Sequence, residues 1–162
     1  MAQDFFIKLD GIDGQSADKN HSKWIEVIDF SHGSKQSVTL ARGADVAGRG
    51  EFEAFSFTHL VDKATPKLQQ YCMNGQKVAK VEFQVCRAIA GAQVAVYEVK
   101  LENVKIAKAI VKTATAAEGA DSEAVETVDL VAGKMTWKVT PIKADNTKDG
   151  AIEASFDQIA NS

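Results

Sequence analysis

The chain has 162 residues, 45% of them apolar and 25% charged, with eleven glycines, two prolines and a net charge of −3. This length and balance fit one globular domain over residues 1–162 and exclude a disordered chain. The acidic balance, with no basic patch interleaved with aromatics, excludes a nucleic-acid partner. No apolar run approaches the roughly 20 residues of a membrane-spanning helix, so no membrane insertion is expected.

From the N-terminus, Met1 to Phe6 carries no positive region ahead of its apolar residues, so no cleaved leader is expected. Phe5, Ile7 and Leu9 alternate with Asp4, Lys8 and Asp10, the signature of a half-buried strand. Asp10 to Gly14 reads as a turn, and residues 15–22 as a surface loop. Trp24 to Phe30 reads as one strand covered on both sides, with Ile25 and Val27 on one face and Trp24, Ile28 and Phe30 on the other. Ser31 to Ser34 should interrupt it, and Gln36 to Leu40 should resume as strand. The glycine-rich run from Arg42 to Gly50 is expected to be a small mobile loop. Glu51 to Leu60 alternates again, with Phe55 and Phe57 opposite Phe52.

The clearest local signal is a short helix over residues 66–73, Pro66 to Met73. Thr65 is placed to cap it and Pro66 suits its first turn. Leu68, Tyr71 and Cys72 fall on one face at i, i+3 and i+4, and Gly75 supplies the left-handed stop. After it, Val81, Phe83 and Val85 form a strand, and Ala95, Tyr97, Val99 and Leu101 another. The apolar phase then moves to Val104 and Ile106, which predicts a β-bulge near Asn103. Residues 113–122 read as the tip of an extended hairpin. Val128 and Leu130 begin a strand that Gly133 should break from the next, Met135 to Val139. A polar loop over residues 141–150 precedes a last strand with Ile152, Ala154 and Phe156. Eight or so strands and one helix point to a β-barrel or sandwich.

The search for chemistry yields no enzyme. His21, His32 and His59 have no ligand-like spacing with one another or with Cys72 and Cys86, so no metal site is expected and they read as surface or hydrogen-bonded imidazoles. The two cysteines read as reduced, partly buried thiols, with a disulfide between them left open. Gly48-Arg49-Gly50 is not a dinucleotide fingerprint, and Gly133-Lys134 lacks the pattern of a phosphate loop. Asp10 and Asp13 belong to a plain turn, and Asn20-His21-Ser22 is a chance glycosylation match without a leader. No serine sits in a nucleophile elbow, and the carboxylates read as solvated strand faces and loops. No cofactor is expected. A binding or assembly module remains, because several strands are apolar on both faces.

Several segments then acquire a family meaning. Thr58 to Leu68, with Asp62, Thr65, Pro66 and Leu68 in place and Gly75 closing the helix, resembles the D-x-x-[ST]-P-x-L…G segment of the haemolysin-coregulated proteins, the Hcp family of type VI secretion. Asp4, Ile7, Lys8 and Leu9, then Gly14, Gln15, Ser16, Lys19 and His21, are similar to the family's N-terminal pattern. Ile25-Glu26-Val27 leading to Ser31 and Gly33 agrees as well, as do Lys143-Ala144-Asp145 and Lys148-Asp149-Gly150 before the last strand. Gln15 stands where the family usually has Glu, and Phe156 replaces a common Trp.

The resemblance implies a mainly β fold: a two-sheet antiparallel β-barrel with one short α-helix, like a phage tail-tube subunit. It implies a homohexamer whose rings stack into an expelled tube, inside a sheath and tipped by a spike on a baseplate, with small effector proteins held in the channel. Such a protein is cytoplasmic before assembly and is then secreted without a cleaved signal peptide. Gly43, Ala44, Asp45, Val46, Gly48, Arg49 and Gly50 are the candidates for contacts between subunits, with the 113–122 tip as a further one. Ser31 is the candidate for the channel wall. The alternative is a monomeric β-sandwich binding module for a peptide or carbohydrate. It requires an aromatic-lined groove, for which Trp24, Trp137, Tyr71 and Tyr97 are a thin supply.

Overall fold

Alternation of apolar and polar side chains turns most of the chain into antiparallel strand. The structure, a computed structural model, describes residues 3–40, 45–114 and 122–162. In chain order it contains β1 (Gln3–Leu9), β2 (Ile25–Val27), β3 (Asp29–Lys35), β4 (Val38–Leu40), β5 (Asp45–Ala47), β6 (Glu51–Leu60), α1 (Thr65–Asn74), β7 (Val78–Ile89), β8 (Ala92–Ala114), β9 (Glu123–Val139) and β10 (Ile152–Asp157). Among the described residues, eight strands form one sheet in the order β2-β1-β7-β8-β9-β6-β3, with β10 beside β9, and β4 and β5 pair only with each other.

The two ends of that path, β2 and β3, are separated by Ile28 alone, so the sheet must curl back on itself. Ile28 spans the seam by donating its amide to the Thr58 carbonyl at 2.8 Å. The expected antiparallel β-barrel is therefore present, and its sheets run into each other through the long strands β8 and β9. Inside lie Ile7, Leu9, Ile25, Phe55, Phe57, Phe83, Leu101, Leu130 and Met135, all essentially without exposed surface. Each contributes about 1.5–3 kcal/mol by burial. Phe30 and Phe83 meet at 4.5 Å between ring centres, and Phe55 and Phe83 at 5.1 Å.

The helix docks as its face requires. Leu68 is fully buried, Tyr71 and Cys72 pack half-buried against the core, and Gly75 ends the helix at φ 69°. Thr65 does not cap it, however. The helix begins at Thr65, and Ala64 occupies the cap position with no side-chain bond. Asp62, two residues before Ala64, instead orders the approach to the helix, its Oδ1 accepting from the Ala64 amide at 2.8 Å.

Four other expectations are corrected. Trp24 to Phe30 is not one strand: the chain changes neighbours at Ile28, Trp24 joins Phe6 and Cys86 in a second small cluster, and Ile28 is exposed. Residues 31–34 do not interrupt; β3 runs through them with a register shift between Ser31 and Gly33. Gly133 does not break a strand, because β9 is continuous over seventeen residues. The inversion near Asn103 is not a bulge. The rows Val78–Val104–Ala132 and Val81–Leu101–Met135 both face the core although they lie three residues apart, so β7, β8 and β9 invert together between them. Asn103 takes φ 54° at this crease. Gly133 lies opposite, where a Cβ would sit 3.1 Å from that of Asn103 and 2.9 Å from Ile159 Cδ1. True register shifts occur elsewhere, at Val85/Cys86 and at Ile106/Lys108.

Candidate assembly surfaces

The glycine-rich run becomes the returning half of a hairpin arm. Gly43 and Ala44 lie outside the described residues. Asp45 and Val46 are strand rather than loop, since their backbones pair with Leu40 and Thr39. Gly48 donates its amide to the Ser37 carbonyl at 2.6 Å, and a Cβ there would lie 3.1 Å from that oxygen, so glycine permits the arm to close at its base. Arg49 turns inward to its own chain, donating from Nη2 to the carbonyls of Gln158 and Ile159 at 2.7 and 3.0 Å. Gly50 has open space about its Cα. The tip at residues 115–121 lies outside the described residues, and the strands that lead to it pair as far as Ala114 and Glu123.

Ser31 is exposed on β3, on the side of the sheet away from the core. It begins a polar row that crosses four strands, Ser31–Ser56–Asp129–Lys108. A second outward face, over β7, β8 and β9, alternates in charge: Lys80 meets Glu82, and Glu102 lies 3.7 Å from both Lys100 and Lys134. These are solvent-exposed pairs that contribute little stability but keep the face wet.

Apolar side chains are exposed elsewhere. Val139 and Ile152 are cross-strand neighbours, 45% and 69% exposed. Ile28, Leu60 and Val61 line a cleft of about 380 Å³. Leu40, 78% exposed, stands on the arm. Phe52, Trp137 and Phe156 line an apolar groove of about 450 Å³, with Phe52 edge-on to both other rings.

Two polar clusters were not anticipated. His59 Nε2 meets Glu126 Oε1 at 2.8 Å, and His59 Nδ1 lies 3.6 Å from Asp62. Gln69, on α1, donates to Glu126 Oε2 at 2.8 Å. Both His59 and Glu126 are fully buried, which corrects the reading of every carboxylate as solvated. Burial alone would lower the His59 pKa, but the Asp62 and Glu126 carboxylates outweigh it and raise it to about 9. The signal was in the sequence: His59 shares its parity with Phe55 and Phe57, and Glu126 with Val128 and Leu130.

The second cluster places His21 Nδ1 2.7 Å from Asp18, His21 Nε2 2.7 Å from Gln84 Oε1, and Cys86 Sγ 3.8 Å from Nε2. It has the outline of a nucleophile, base and acid. Cys86 is buried, and burial with the nearby Asp18, Asp4 and Glu98 pushes its thiol up to about 11, so no thiolate is available for attack. Phe6 stacks on the imidazole at 4.0 Å, which makes this a packed polar core. Both cysteines are free thiols. Among the described residues no group of His, Cys, Asp and Glu is arranged to hold a metal ion, and no helix is long and apolar enough to cross a membrane.

A solved structure described as that of a type six secretion system protein superposes with a TM-score of 0.87 at 29% identity, covering 99% of both chains. The crystal structure of Hcp1 from Salmonella typhimurium gives 0.78 at 26% identity, over 99% of this chain and 98% of that one. In fold and sequence the chain is thus similar to a protein of type VI secretion. The family model described as "Type VI secretion system effector, Hcp" matches residues 6–139. Protein hcp1 of Pseudomonas aeruginosa is 31% identical over 151 residues, 93% of this chain and 91% of that protein. The chain belongs to the Hcp family.

Proposed function

We propose that residues 1–162 act as one structural domain, a subunit of the type VI inner tube. Six copies close a ring, rings stack, and small effectors ride in the channel until the tube is expelled within its sheath, behind the spike, from the baseplate. The protein is structural rather than enzymatic, needs no cofactor, binds no nucleic acid and inserts in no membrane. It waits in the cytoplasm until the tube that it builds is expelled.

The observation that carries this reading is apolar surface left over once the core is complete. Ile152 and Val139 sit side by side on a barrel whose interior is already filled, and copies that pack head to tail cover such patches for one another. The polar, charge-balanced outer faces suit a water-filled channel that carries cargo without trapping it.

Light scattering should give about six times the 17.4 kDa chain mass. Ile152→Asp should lower that mass while thermal unfolding of the barrel changes little. A wild-type protein that stays monomeric at high concentration overturns the reading. The groove of Phe52, Trp137 and Phe156 favours the alternative of a monomeric β-sandwich module for a peptide or carbohydrate. Quenching of Trp137 fluorescence by such a ligand, in a monomer, would support it.

A further inference from the structure

We propose that the turn over residues 157–162 is a clamp that fixes the base of the β4–β5 arm, with Arg49 and Gln158 as its positioning residues. The consequence for assembly rests on the tube reading above; the clamp itself does not.

The arm cannot hold its own direction. β4 and β5 are three residues each and, among the described residues, pair only with one another. An isolated two-stranded ribbon is at best marginal in water. What fixes it is therefore the few residues where it joins the barrel, and those are gripped from one side by a segment distant in sequence. Arg49 Nη2 donates to the Gln158 and Ile159 carbonyls, 2.7 and 3.0 Å away. Three residues on, the Phe52 amide donates to Gln158 Oε1 at 2.6 Å. One turn thus spans the whole link from arm to β6.

The clamp is itself pre-organised. Asp157 Oδ1 accepts from the amides of Ile159 and Ala160 at 2.9 and 3.0 Å, and the backbones of Asp157 and Ser162 exchange bonds of 2.8 and 3.2 Å. The Gln158 amide donates to the Gly133 carbonyl at 2.8 Å, seating the turn on the crease of β9. A planar guanidinium meeting two carbonyls already held in place loses little freedom on bonding. Charge assistance makes such bonds stronger than neutral ones. An arm held in advance in its binding direction associates more tightly than one that must be ordered on contact.

Hydrogen exchange on the full chain, on a chain ending at Asp157, and on Arg49→Gln and Arg49→Lys tests this. Cutting the clamp should raise exchange at the amides of residues 37–40 and 45–48 roughly tenfold, the scale of a lost charge-assisted bond. Exchange in β1 and β2 should not change, and Arg49→Lys should restore part of the protection that Arg49→Gln loses. Unchanged exchange of the arm in the shortened chain overturns the clamp. Ring mass, measured on the same samples, separates the two claims. A loosened arm with intact rings upholds the clamp and removes the arm from assembly.

Discussion

Glu126 is a carboxylate with no exposed surface, and its neighbours explain how a hydrophobic interior accommodates it. His59 supplies the counter-ion and Gln69 a further donor, so the cluster joins β6, β9 and α1. Removing one member of a buried pair leaves the other uncompensated. His59→Leu or Glu126→Leu should each cost about 3–5 kcal/mol in urea unfolding, and the double variant clearly less than their sum. Equal costs that simply add would show that the pair is not coupled. The pH dependence has a definite sign. The His59 pKa is raised from 6.5 to about 9, so its contribution is complete below about 6.5 and is lost as pH rises through about 9. Stability of the parent should fall between pH 7 and 10 more steeply than that of His59→Gln. Identical slopes would place the neutral ring in the core.

The crease at Asn103 governs the strands. Three neighbouring strands exchange their inner and outer faces at one level, and one left-handed residue with a glycine opposite makes that possible. Asn tolerates this backbone and a β-branched residue does not. Asn103→Val should cost about 1–3 kcal/mol in unfolding free energy, and Asn103→Gly much less; equal losses would assign the cost to the side chain rather than to φ. The sequence showed that the apolar phase slips here, because Leu101 and Val104 cannot share a face in a regular strand. It did not show how. A bulge in one strand and a shared inversion leave the same trace in β8, and only the partner strands tell them apart. The helix was legible because Pro66 and Gly75 are local signals. The split at Ile28 was hidden because it depends on which strand lies beside the chain. The hydrogen-bonded reading of His59 holds, but its buried partner Glu126 was overlooked because polarity was weighed above parity.

At the scale of the molecule, Ser31 is the channel candidate, and its row through Ser56, Asp129 and Lys108 gives it a physical context. Ser31→Arg should leave ring mass unchanged and reduce retention of a co-expressed small effector; full retention removes Ser31 from the channel wall. The expectation of assembly came from counting strands apolar on both faces, and part of that count was misplaced. Trp24 and Phe6 are covered within the chain, whereas Ile28, Val139 and Ile152 are not. The contacts of Arg49 also set an order in time. Its acceptor at Gln158 lies 109 residues downstream. At about 5–20 residues per second, the ribosome delivers that carbonyl roughly 5–20 s after the arginine emerges. A nascent chain therefore displays its arm while the turn that would steady it is still unmade, and the arm's direction is among the last features of the subunit to be set.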